Sequence, residues 1–554
     1  MCVLHVFQGI PYVQNVYYWR MKNLYSSNLA NYHFDTIIVG SGLGGLTTAV
    51  LLAKAGQKVL VLERHYVAGG FTHTFKRKKF EWDVGVHYVG QVNQEESILF
   101  KLFNFVSDRK LKWTDMGEVY DKAIINGDVY NFKTGRENQI NQMIHYFPKE
   151  ERAIRAYYEL IQKVGDLSVL FFSERTMPVW LSKSLGYFLR RGFYKYADRT
   201  TYDVLKELTG DEKLISVLCS QCGNYGLPPK QSSFAAHAIV ANHFVDGGGY
   251  PVGGASSIAK SLIEVIEAHG GEIAIKADVD QILIEKGKAI GVQMGNGDRI
   301  FASNVVSNAG VHETYRHLIP AVPSKKVQEL KDMPPSVSHF CLYVGLNEDD
   351  ETLQLPKHNI WLYTDYDIDD AYARFIAKQE SKPVLTYISF PSAKDPLWTK
   401  KHPNMSTIQV VTSCPYEWVK EWEGEKWQKR GASYEEFKEK LKALLLDRLI
   451  SVLPHIKDKI AICELSTPLS TKHFSNYAKG EIYGLAHDTA RFGLRQLRPT
   501  TLYKNFFLTG QDIVCVGVGA ALFSGLITSV HILKFKSFKL LGQILFPAPE
   551  AQKA

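Results

Sequence analysis

The chain has 554 residues, more than one simple hydrophobic core can use, so we expect about two to four domain-sized units. Hydrophobic residues make up 45% and charged residues 22% of the chain, as in an ordinary globular protein rather than a disordered one. The 65 basic and 57 acidic residues are interspersed and give a net charge of +8. This pattern excludes the dense basic stripe of a nucleic-acid binder and favours an anionic ligand or a membrane surface as the partner.

The N-terminal segment Met1–Asn31 has no charged region followed by an apolar stretch, so we predict no secretory signal. The seven cysteines are few, odd in number and scattered, which favours a reducing compartment and leads us to expect a cytoplasmic protein. Cys219 and Cys222 form a single C-x-x-C pair. Because no second pair accompanies them, we predict a packing role for these thiols and no metal site.

A glycine-rich turn follows the first predicted strand. Phe34–Val39 is a short apolar, β-branched run of the kind found in buried parallel strands. It leads into a G-x-G-x-x-G motif with the sequence Gly40-Ser41-Gly42-Leu43-Gly44-Gly45. An apolar helix over Leu46–Ala55 and a strand over Lys58–Leu62 complete a β-α-β unit, which ends at Glu63.

This unit predicts a dinucleotide site. Gly40 allows the tight turn, Gly42 lets the backbone approach a pyrophosphate, and Gly45 lets the helix lie against the strand. The helix N-terminus offers unpaired N–H groups to the phosphates. Glu63 is placed to accept hydrogen bonds from ribose hydroxyls, and we include the adjacent Arg64 among the cofactor-binding residues.

The segment after the acid indicates which dinucleotide is bound. It carries the residues Glu63…Gly69-Gly70…His73-Thr74-Phe75…Asp83-x-Gly85-x-His87-Tyr88. This run resembles the FAD-dependent family of phytoene desaturases, carotenoid isomerases and retinol saturases, and it is most similar to the retinol saturase branch. The resemblance implies FAD, with Gly69 and Gly70 passing close to the second phosphate. Phe71 stands where bacterial desaturases and amine oxidases usually carry an arginine, which weakens the likeness to those branches.

The sequence returns to the cofactor domain after residue 245. Tyr250-Pro251-x-Gly253-Gly254 resembles the Y-P-x-G-G motif that the family carries before its returning helix. Val279, at the end of the next predicted strand, resembles the residue whose backbone meets the adenine ring. Ile282–Ala302 predicts a β-meander with glycine-containing turns. It leads to Ala309 and Gly310, whose small side chains permit close approach to the cofactor.

A last cofactor segment lies near the C-terminus. A predicted strand ends at Gly510 and Asp512, and the resemblance places the Asp512 carboxylate at the ribityl or pyrophosphate region of FAD. Val516–Ala521 opens the final helix, and the resemblance turns the amides of Gly519 and Ala520 towards the isoalloxazine ring. The apolar run Ile513–Leu533 has the length of a membrane span, but because it follows this motif directly we predict a buried helix.

The predicted fold class is therefore α/β, with an α+β substrate domain. A discontinuous Rossmann-like FAD-binding domain is interrupted by an inserted substrate domain of helices and antiparallel sheet. We assign an N-terminal extension (1–33), three FAD-binding parts (34–102, 246–311 and 471–534), two substrate parts (103–245 and 312–470) and a C-terminal tail (535–554). The first substrate part is predicted to be helix-rich and to face a membrane, and strands are predicted over Val337–Leu346, Lys382–Pro391 and Thr407–Pro415.

The helix predicted within residues 177–199 has two interpretations. Its apolar residues recur at helical spacing, with Trp180 beside them: Leu181, Leu185, Phe188, Leu189 and Phe193. Lys183 and Arg190 lie opposite this stripe. The pattern fits a helix in a membrane interface whose cations extend to the headgroups, and equally a core-facing amphipathic helix. With the interfacial interpretation, we expect peripheral membrane contact.

The chemistry follows from the resemblance. It implies a FAD-dependent oxidoreductase that reduces or desaturates a carbon–carbon bond of a retinoid, carotenoid or similar apolar isoprenoid, with hydride transfer at flavin N5. His87 and Tyr88 are the candidate proton donors. A redox-neutral cis–trans carotenoid isomerase and a flavin amine oxidase of the same fold remain alternatives. Because the chain has no second G-x-G-x-x-G unit, we expect electrons from a quinone, a partner protein or transiently bound NAD(P)H.

Overall fold

The computed structural model describes residues 23–547, except residues 178, 320, 321, 323 and 379–381 and the side chains of residues 179, 180 and 183. The strands are β1 His33–Val39, β2 Val59–Glu63, β3 Thr74–Arg77, β4 Phe80–Asp83, β5 Val89–Gly90, β6 Trp113–Asp115, β7 Val119–Ile125, β8 Asp128–Lys133, β9 Gly248–Pro251, β10 Glu272–Ile275, β11 Val279–Glu285, β12 Lys288–Met294, β13 Arg299–Ser307, β14 Ser338–Leu346, β15 Asn359–Tyr363, β16 Leu385–Ser389, β17 Ser406–Cys414, β18 Ile460–Ser466 and β19 Phe506–Leu508.

The α-helices are Leu43–Lys54, Ile98–Val106, Arg136–Tyr146, Glu151–Glu174, Val179–Ala197, Thr201–Lys206, Glu212–Leu218, Phe234–Phe244, Ser256–Ala268, Val311–Glu313, Lys325–Asp332, Ile368–Ile376, Pro391–Lys394, Trp398–Lys401, Gly431–Val452, Pro468–Ser475, Gly517–Leu533 and Ser537–Leu545.

The first large sheet collects strands from distant parts of the chain. Its order is β10-β2-β1-β13-β12-β11, and β19 also pairs with β13. The strands β10, β2, β1, β13 and β19 run parallel. Ile38 in β1 pairs with Val61 on one side and with Val306 on the other, and all three side chains are fully buried. Continuous apolar burial is expected of a parallel sheet covered on both faces.

Close helix packing covers one face of this sheet. Leu43–Lys54 is buried along nearly its whole length. A Cβ added at Gly525 of Gly517–Leu533 would lie 2.6 Å from Thr47 Cβ and 2.8 Å from the Gly44 carbonyl oxygen. The glycine therefore lets the last long helix touch the first, which joins the two ends of the sequence around one sheet.

The predicted β-meander is confirmed as β11, β12 and β13, paired antiparallel in succession. Lys286 and Gly287 connect the first two strands with φ values of 47° and 75°. Two successive positive φ values match the right-handed twist of the flanking strands, the geometry of a type I′ hairpin turn.

The second large sheet has the order β18-β14-β17-β16-β15-β7-β8. The three strands predicted in the second substrate part correspond to β14, β16 and β17. The expectation of a purely antiparallel sheet is corrected, because β15 and β7 pair in parallel. β7 and β8 come from the stretch predicted to be helix-rich, so that stretch contributes to this sheet as well as supplying helices.

The structure corrects the sequence interpretation of Val179–Ala197. Arg190, expected to extend towards headgroups, is buried and its Nη1 lies 2.5 Å from Glu174 Oε1. Phe193 is also fully buried. Leu185 and Phe188, in contrast, are 50% and 64% exposed. The helix therefore has both a core face and an exposed apolar face, and the Trp180 and Lys183 side chains lie outside the described part of the chain.

The C-terminal segment is helical for longer than predicted. Among the described residues, Gly517–Leu545 is the one helical stretch long and apolar enough to cross a membrane by length and composition. Its first part packs on the cofactor domain, as predicted for a buried helix. The predicted tail contains Ser537–Leu545, whose Leu540 and Ile544 are buried.

Candidate functional site

The glycine motif forms a cradle at the carboxyl end of β1. Gly40 has a φ of +95°, which favours glycine and turns the chain into the helix that begins at Leu43. A Cβ at Gly42 would lie 2.8 Å from Asn308 Nδ2, and one at Gly44 would lie 2.8 Å from the Gly510 Cα. No side chain fits at these positions, so the backbone stays open for a phosphate-bearing ligand, as a dinucleotide requires.

The Gly69–Gly70 pair closes the cradle. A Cβ at Gly70 would lie 2.8 Å from the Gly42 Cα, and the Gly69 N–H donates to Ser41 Oγ over 2.9 Å. The φ values of 124° at Gly69 and 55° at Gly70 allow this approach. The two glycine segments predicted from sequence are therefore in direct contact.

Glu63 lies at the end of β2 and lines the cradle, as does Arg64. The Glu63 Oε2 atom accepts from the Ser41 N–H over 2.9 Å and from Ser41 Oγ over 2.5 Å. The Glu63 Oε1 atom accepts from the His65 N–H over 2.7 Å. The carboxylate is thus fixed in place by the turn itself. Arg64 donates from Nη2 to the carbonyl oxygens of His473 and Phe474, which ties the cradle to the third cofactor segment.

Asp512 joins three stretches of chain at the cradle. Its Oδ2 accepts from the Val311 N–H over 2.8 Å and its Oδ1 accepts from the Leu485 N–H over 2.9 Å. Gly484 has a φ of +65°, and a Cβ there would collide with the Asp512 carboxylate. The Asp512 carboxylate therefore accepts hydrogen bonds from two backbone N–H groups and also lines the cavity. Val279, Ala309, Gly310 and Gly510 line the same cavity.

Two predicted cofactor residues are not among the residues that line the cavity. The final helix begins at Gly517, and residues 517, 518 and 521 line the cavity. Gly519 and Ala520 are not among the lining residues, and a Cβ at Gly519 would approach Leu99 and His243. The predicted opening segment Val516–Ala521 contains the observed helix start at Gly517, whose φ is +94°.

The cradle is one part of a cavity of about 670 Å³ in total, which extends from it over one face of the second sheet. The residues that line this extension, called the chamber below, are mainly aromatic and aliphatic: Phe75, Val337, Cys341, Tyr343, Trp361, Leu385, Tyr387, Val411 and Tyr483. The glycine cradle and the chamber form one continuous space. A cofactor in the cradle would therefore share its cavity with an apolar ligand.

Two histidines and a tyrosine contribute neutral polar groups to the chamber. His87 and His339 line it, and each has a buried Nδ1 without a hydrogen bond. Burial lowers the pKa of His87 to about 3, with Lys394 adding to the effect, and burial lowers the pKa of His339 to about 4. The Tyr387 ring also lines the chamber, and its centroid lies 5.1 Å from that of His87. These groups offer hydrogen bonds to an uncharged ligand.

Tyr88, the second predicted proton donor, lies behind the chamber wall. Its hydroxyl donates to Asp121 Oδ2 over 2.8 Å and accepts from Asn224 Nδ2 over 3.0 Å, and of these three residues only Asn224 lines the cavity. This hydroxyl therefore has no direct access to a ligand. Asn359 bridges Asp121 to the buried Lys394, whose Nζ donates to the His87 carbonyl over 3.0 Å.

This buried network fixes the backbone beside the chamber. Burial raises the pKa of Asp121 to about 6 and lowers the pKa of Lys394 to about 7. The sequence did not indicate Lys394, His339 and Tyr387 as site residues. Each lies more than 200 positions from His87 in the chain and approaches it only in the folded protein.

Comparison with known proteins agrees with this geometry. The sequence profile of the family "Flavin containing amine oxidoreductase" matches residues 43–397. All-trans-retinol 13,14-reductase of Danio rerio is 35% identical over 525 residues, which cover 90% of this chain and 86% of the relative. A Danio rerio protein named "Inactive all-trans-retinol 13,14-reductase" is 31% identical and covers 93% of this chain and 88% of its own length. Identity at this level therefore does not decide whether the chain is active.

More distant relatives share the fold. Prolycopene isomerase 2 of an Oncidium hybrid cultivar is 25% identical and covers 92% of this chain and 86% of its own length. A structure of putrescine oxidase bound to putrescine matches with a TM-score of 0.60 at 16% identity, covering 91% of this chain and 99% of that chain. Cyclohexylamine oxidase from Brevibacterium oxydans matches with a TM-score of 0.59 at 15% identity, covering 92% and 100%.

The family implies FAD, and the open glycine cradle fits that cofactor. The resemblance seen in the sequence is confirmed: the chain belongs to the flavin-containing amine oxidoreductase family and is related there to the all-trans-retinol 13,14-reductases.

Proposed function

We propose that this protein is an active FAD-dependent oxidoreductase that acts on a carbon–carbon bond of an apolar polyene such as a retinoid or carotenoid. The observation that carries the proposal is the continuity of the glycine cradle with the apolar chamber. The relatives support the same proposal, since a protein named all-trans-retinol 13,14-reductase is 35% identical over 90% of this chain. When bound, FAD supplies hydride transfer at N5 of its flavin ring.

The protein's own groups bind the substrate and hold the proton. The aromatic and aliphatic lining of the chamber excludes water and takes up the polyene. Burial keeps the Tyr387 hydroxyl protonated by raising its pKa well above 10. This O–H, which lines the chamber beside His87, is the group we assign as proton donor, and the neutral His87 imidazole orients the substrate.

Product analysis tests the proposal. The flavin-loaded protein is reduced under anaerobic conditions and mixed with all-trans-retinol or a carotenoid, and the product is examined by mass spectrometry and chromatography. A product heavier by two hydrogen atoms supports reduction. A polyene of unchanged mass and altered geometry would instead identify the redox-neutral isomerase, the alternative that the prolycopene isomerase relatives favour. No change with any polyene, together with hydrogen peroxide formed when an amine is added to the oxidised, flavin-loaded protein in air, would identify an amine oxidase.

We also propose peripheral contact with a membrane through two exposed apolar segments. Leu185 and Phe188 are exposed on one segment, and Phe535 and Phe538 are 86% and 68% exposed on the other. The helices that carry the two segments are linked nearby, since His531 Nε2 lies 2.6 Å from the carbonyl oxygen of Arg175, just before the helix Val179–Ala197. Lysines 534, 536 and 539 accompany the second segment, an arrangement suited to an anionic lipid interface.

Vesicle co-sedimentation tests this contact. We expect the double variant Phe535→Ser/Phe538→Ser to lose most of its binding to anionic vesicles, because two large apolar side chains no longer enter the interface. Val129→Ser is the matched control, since Val129 is exposed on β8 in the second sheet. Equal binding of all three proteins would refute the contact.

A further inference from the structure

A cluster of arginines lies away from the cofactor, between the helical pair Glu151–Glu174 and Val179–Ala197 and the segment that follows Arg491. A small cavity there is lined by four arginines, one glutamate and four uncharged residues: Arg175, Arg190, Arg495, Arg498, Glu174, Phe171, Tyr194, Phe492 and Leu494. We propose that this cavity binds the phosphate group of an anionic ligand.

The charge of the cluster is not balanced by the protein. Glu174 is the one carboxylate among the lining residues, and its Oε1 already accepts from Arg190 Nη1 over 2.5 Å. Arg175 donates to the Ile513 carbonyl, and Arg498 donates to Ser182 Oγ over 3.3 Å. Both of those acceptors are neutral. A buried cation without an anion is unfavourable, so this excess of positive charge favours binding of an anion.

Burial and unused donors identify the side chains that would bind it. Arg175, Arg190 and Arg498 are only 5%, 7% and 8% exposed. The Nε atoms of Arg190 and Arg498 are buried and have no hydrogen-bond partner in the described structure. Guanidinium groups present planar pairs of donors that match phosphate oxygens, so two unused Nε–H groups beside one cavity are donors for such a ligand.

The size of the cavity limits the ligand. Its volume of about 10 Å³ admits a single ligand atom, about one water-sized sphere. The group therefore enters with one oxygen first, while the remainder stays at the rim beside the exposed Arg495. A nucleotide base or sugar does not fit, whereas free phosphate and the headgroup of a phospholipid both present a suitable phosphate oxygen.

Gly186 contributes to the shape of this site. A Cβ at this position would collide with Arg190 Nη1 and lie 2.8 Å from Glu174 Oε1. Glycine inside a helix is less favourable than alanine. Here it lets the arginine–glutamate pair lie directly against the backbone, which holds the Arg190 guanidinium at the cavity.

Titration of the full-length protein with inorganic phosphate tests the proposal. Calorimetry should give saturable binding, and Arg498→Gln should weaken it roughly tenfold, the effect of losing one charge-assisted contact. Arg155→Gln is the matched control, because Arg155 forms an exposed ion pair with Glu151 in the first turns of the helix Glu151–Glu174, does not line the cavity and should leave phosphate affinity unchanged. Glu174→Gln removes the competing carboxylate and should strengthen binding, which keeps the test informative if Arg498→Gln does not fold.

A second arm distinguishes the two sources of phosphate. Vesicles of phosphatidylcholine with phosphatidic acid are compared with vesicles of phosphatidylcholine alone. Capture that requires both phosphatidic acid and Arg498, without binding of free phosphate, supports a lipid headgroup as the ligand. Binding of free phosphate that depends on Arg498, with equal capture by both vesicles, supports a soluble ligand. If neither phosphate nor vesicle binding responds to Arg498→Gln and Glu174→Gln, the proposal is overturned.

Discussion

Replacing Gly44 with alanine tests whether the close packing at the cradle outweighs the helix propensity that alanine gains. The new Cβ would lie 2.8 Å from the Gly510 Cα, the Gly510 amide nitrogen and Ser524 Oγ. The first two are backbone atoms, so the last cofactor segment has to move away by several tenths of an ångström. Overpacking of this kind costs about 1–3 kcal/mol. Weakening of the hydrogen bond from the Gly510 N–H to Ser524 Oγ adds about 1 kcal/mol.

Alanine also gains helix propensity, about 1 kcal/mol relative to glycine. The net loss of unfolding free energy for Gly44→Ala is therefore about 1–3 kcal/mol. Because the same movement opens the cradle, the affinity for FAD should fall by roughly 5- to 150-fold. Flavin absorbance per mole of purified protein and urea unfolding measure the two effects.

Gly542→Ala is the matched control for this experiment. Gly542 also lies in a helix, but a Cβ there meets nothing within 4 Å. We expect this variant to keep its FAD and to gain up to about 1 kcal/mol of stability. If Gly44→Ala matched Gly542→Ala in both flavin content and unfolding midpoint, the close contact between the first and last cofactor segments would not be as described.

Three further outcomes follow from buried polar groups. Burial raises the pKa of Asp83 from 3.8 in the unfolded chain to about 7 in the folded protein. Between about pH 4 and pH 7 the folded protein therefore holds a proton that the unfolded chain has already released. The free energy of unfolding therefore falls as the pH rises through this window, by at most about 4 kcal/mol. In urea unfolding, Asp83→Asn should make the free energy of unfolding less dependent on pH. An unchanged pH dependence would contradict the raised pKa of Asp83. Tyr387→Phe keeps the aromatic ring and should reduce turnover on a polyene at least roughly 100-fold, while Tyr343→Phe keeps its activity; equal rates would exclude the Tyr387 hydroxyl as proton donor. Lys394→Met leaves the buried acceptors of Asn359 and the His87 backbone without their donor and should cost about 1–3 kcal/mol for each in urea unfolding; an unchanged unfolding free energy would contradict these bonds.

The sequence sufficed for features whose cause is local. The β-α-β unit follows from the glycine turn and the acid at Glu63, and the I′ hairpin follows from Lys286-Gly287. Contacts between distant segments were not accessible in the same way. The burial of Arg190 depends on Glu174 in the preceding helix, and the parallel pairing of β7 with β15 joins residues more than 200 positions apart.

The chamber illustrates the same limit. His87 was selected because it follows the Gly-Gly segment, and it does line the cavity. His339 and Tyr387 reach it from β14 and β16, whose alternating patterns show only that they are strands. Which side chains of a strand meet a given histidine depends on the register between strands, and residues within one strand do not determine that register.

The position of β1 at the centre of the first sheet has a consequence for synthesis of the protein. Its neighbour β2 follows within 20 residues, but its other neighbour, β13, begins at Arg299. At about 5–20 residues per second, the ribosome needs roughly 10–50 s to make the intervening chain. During that interval an apolar strand has one unpaired edge, and β19 completes the sheet only near the end of translation. We therefore expect the nascent chain to need protection by chaperones until its last cofactor segment emerges.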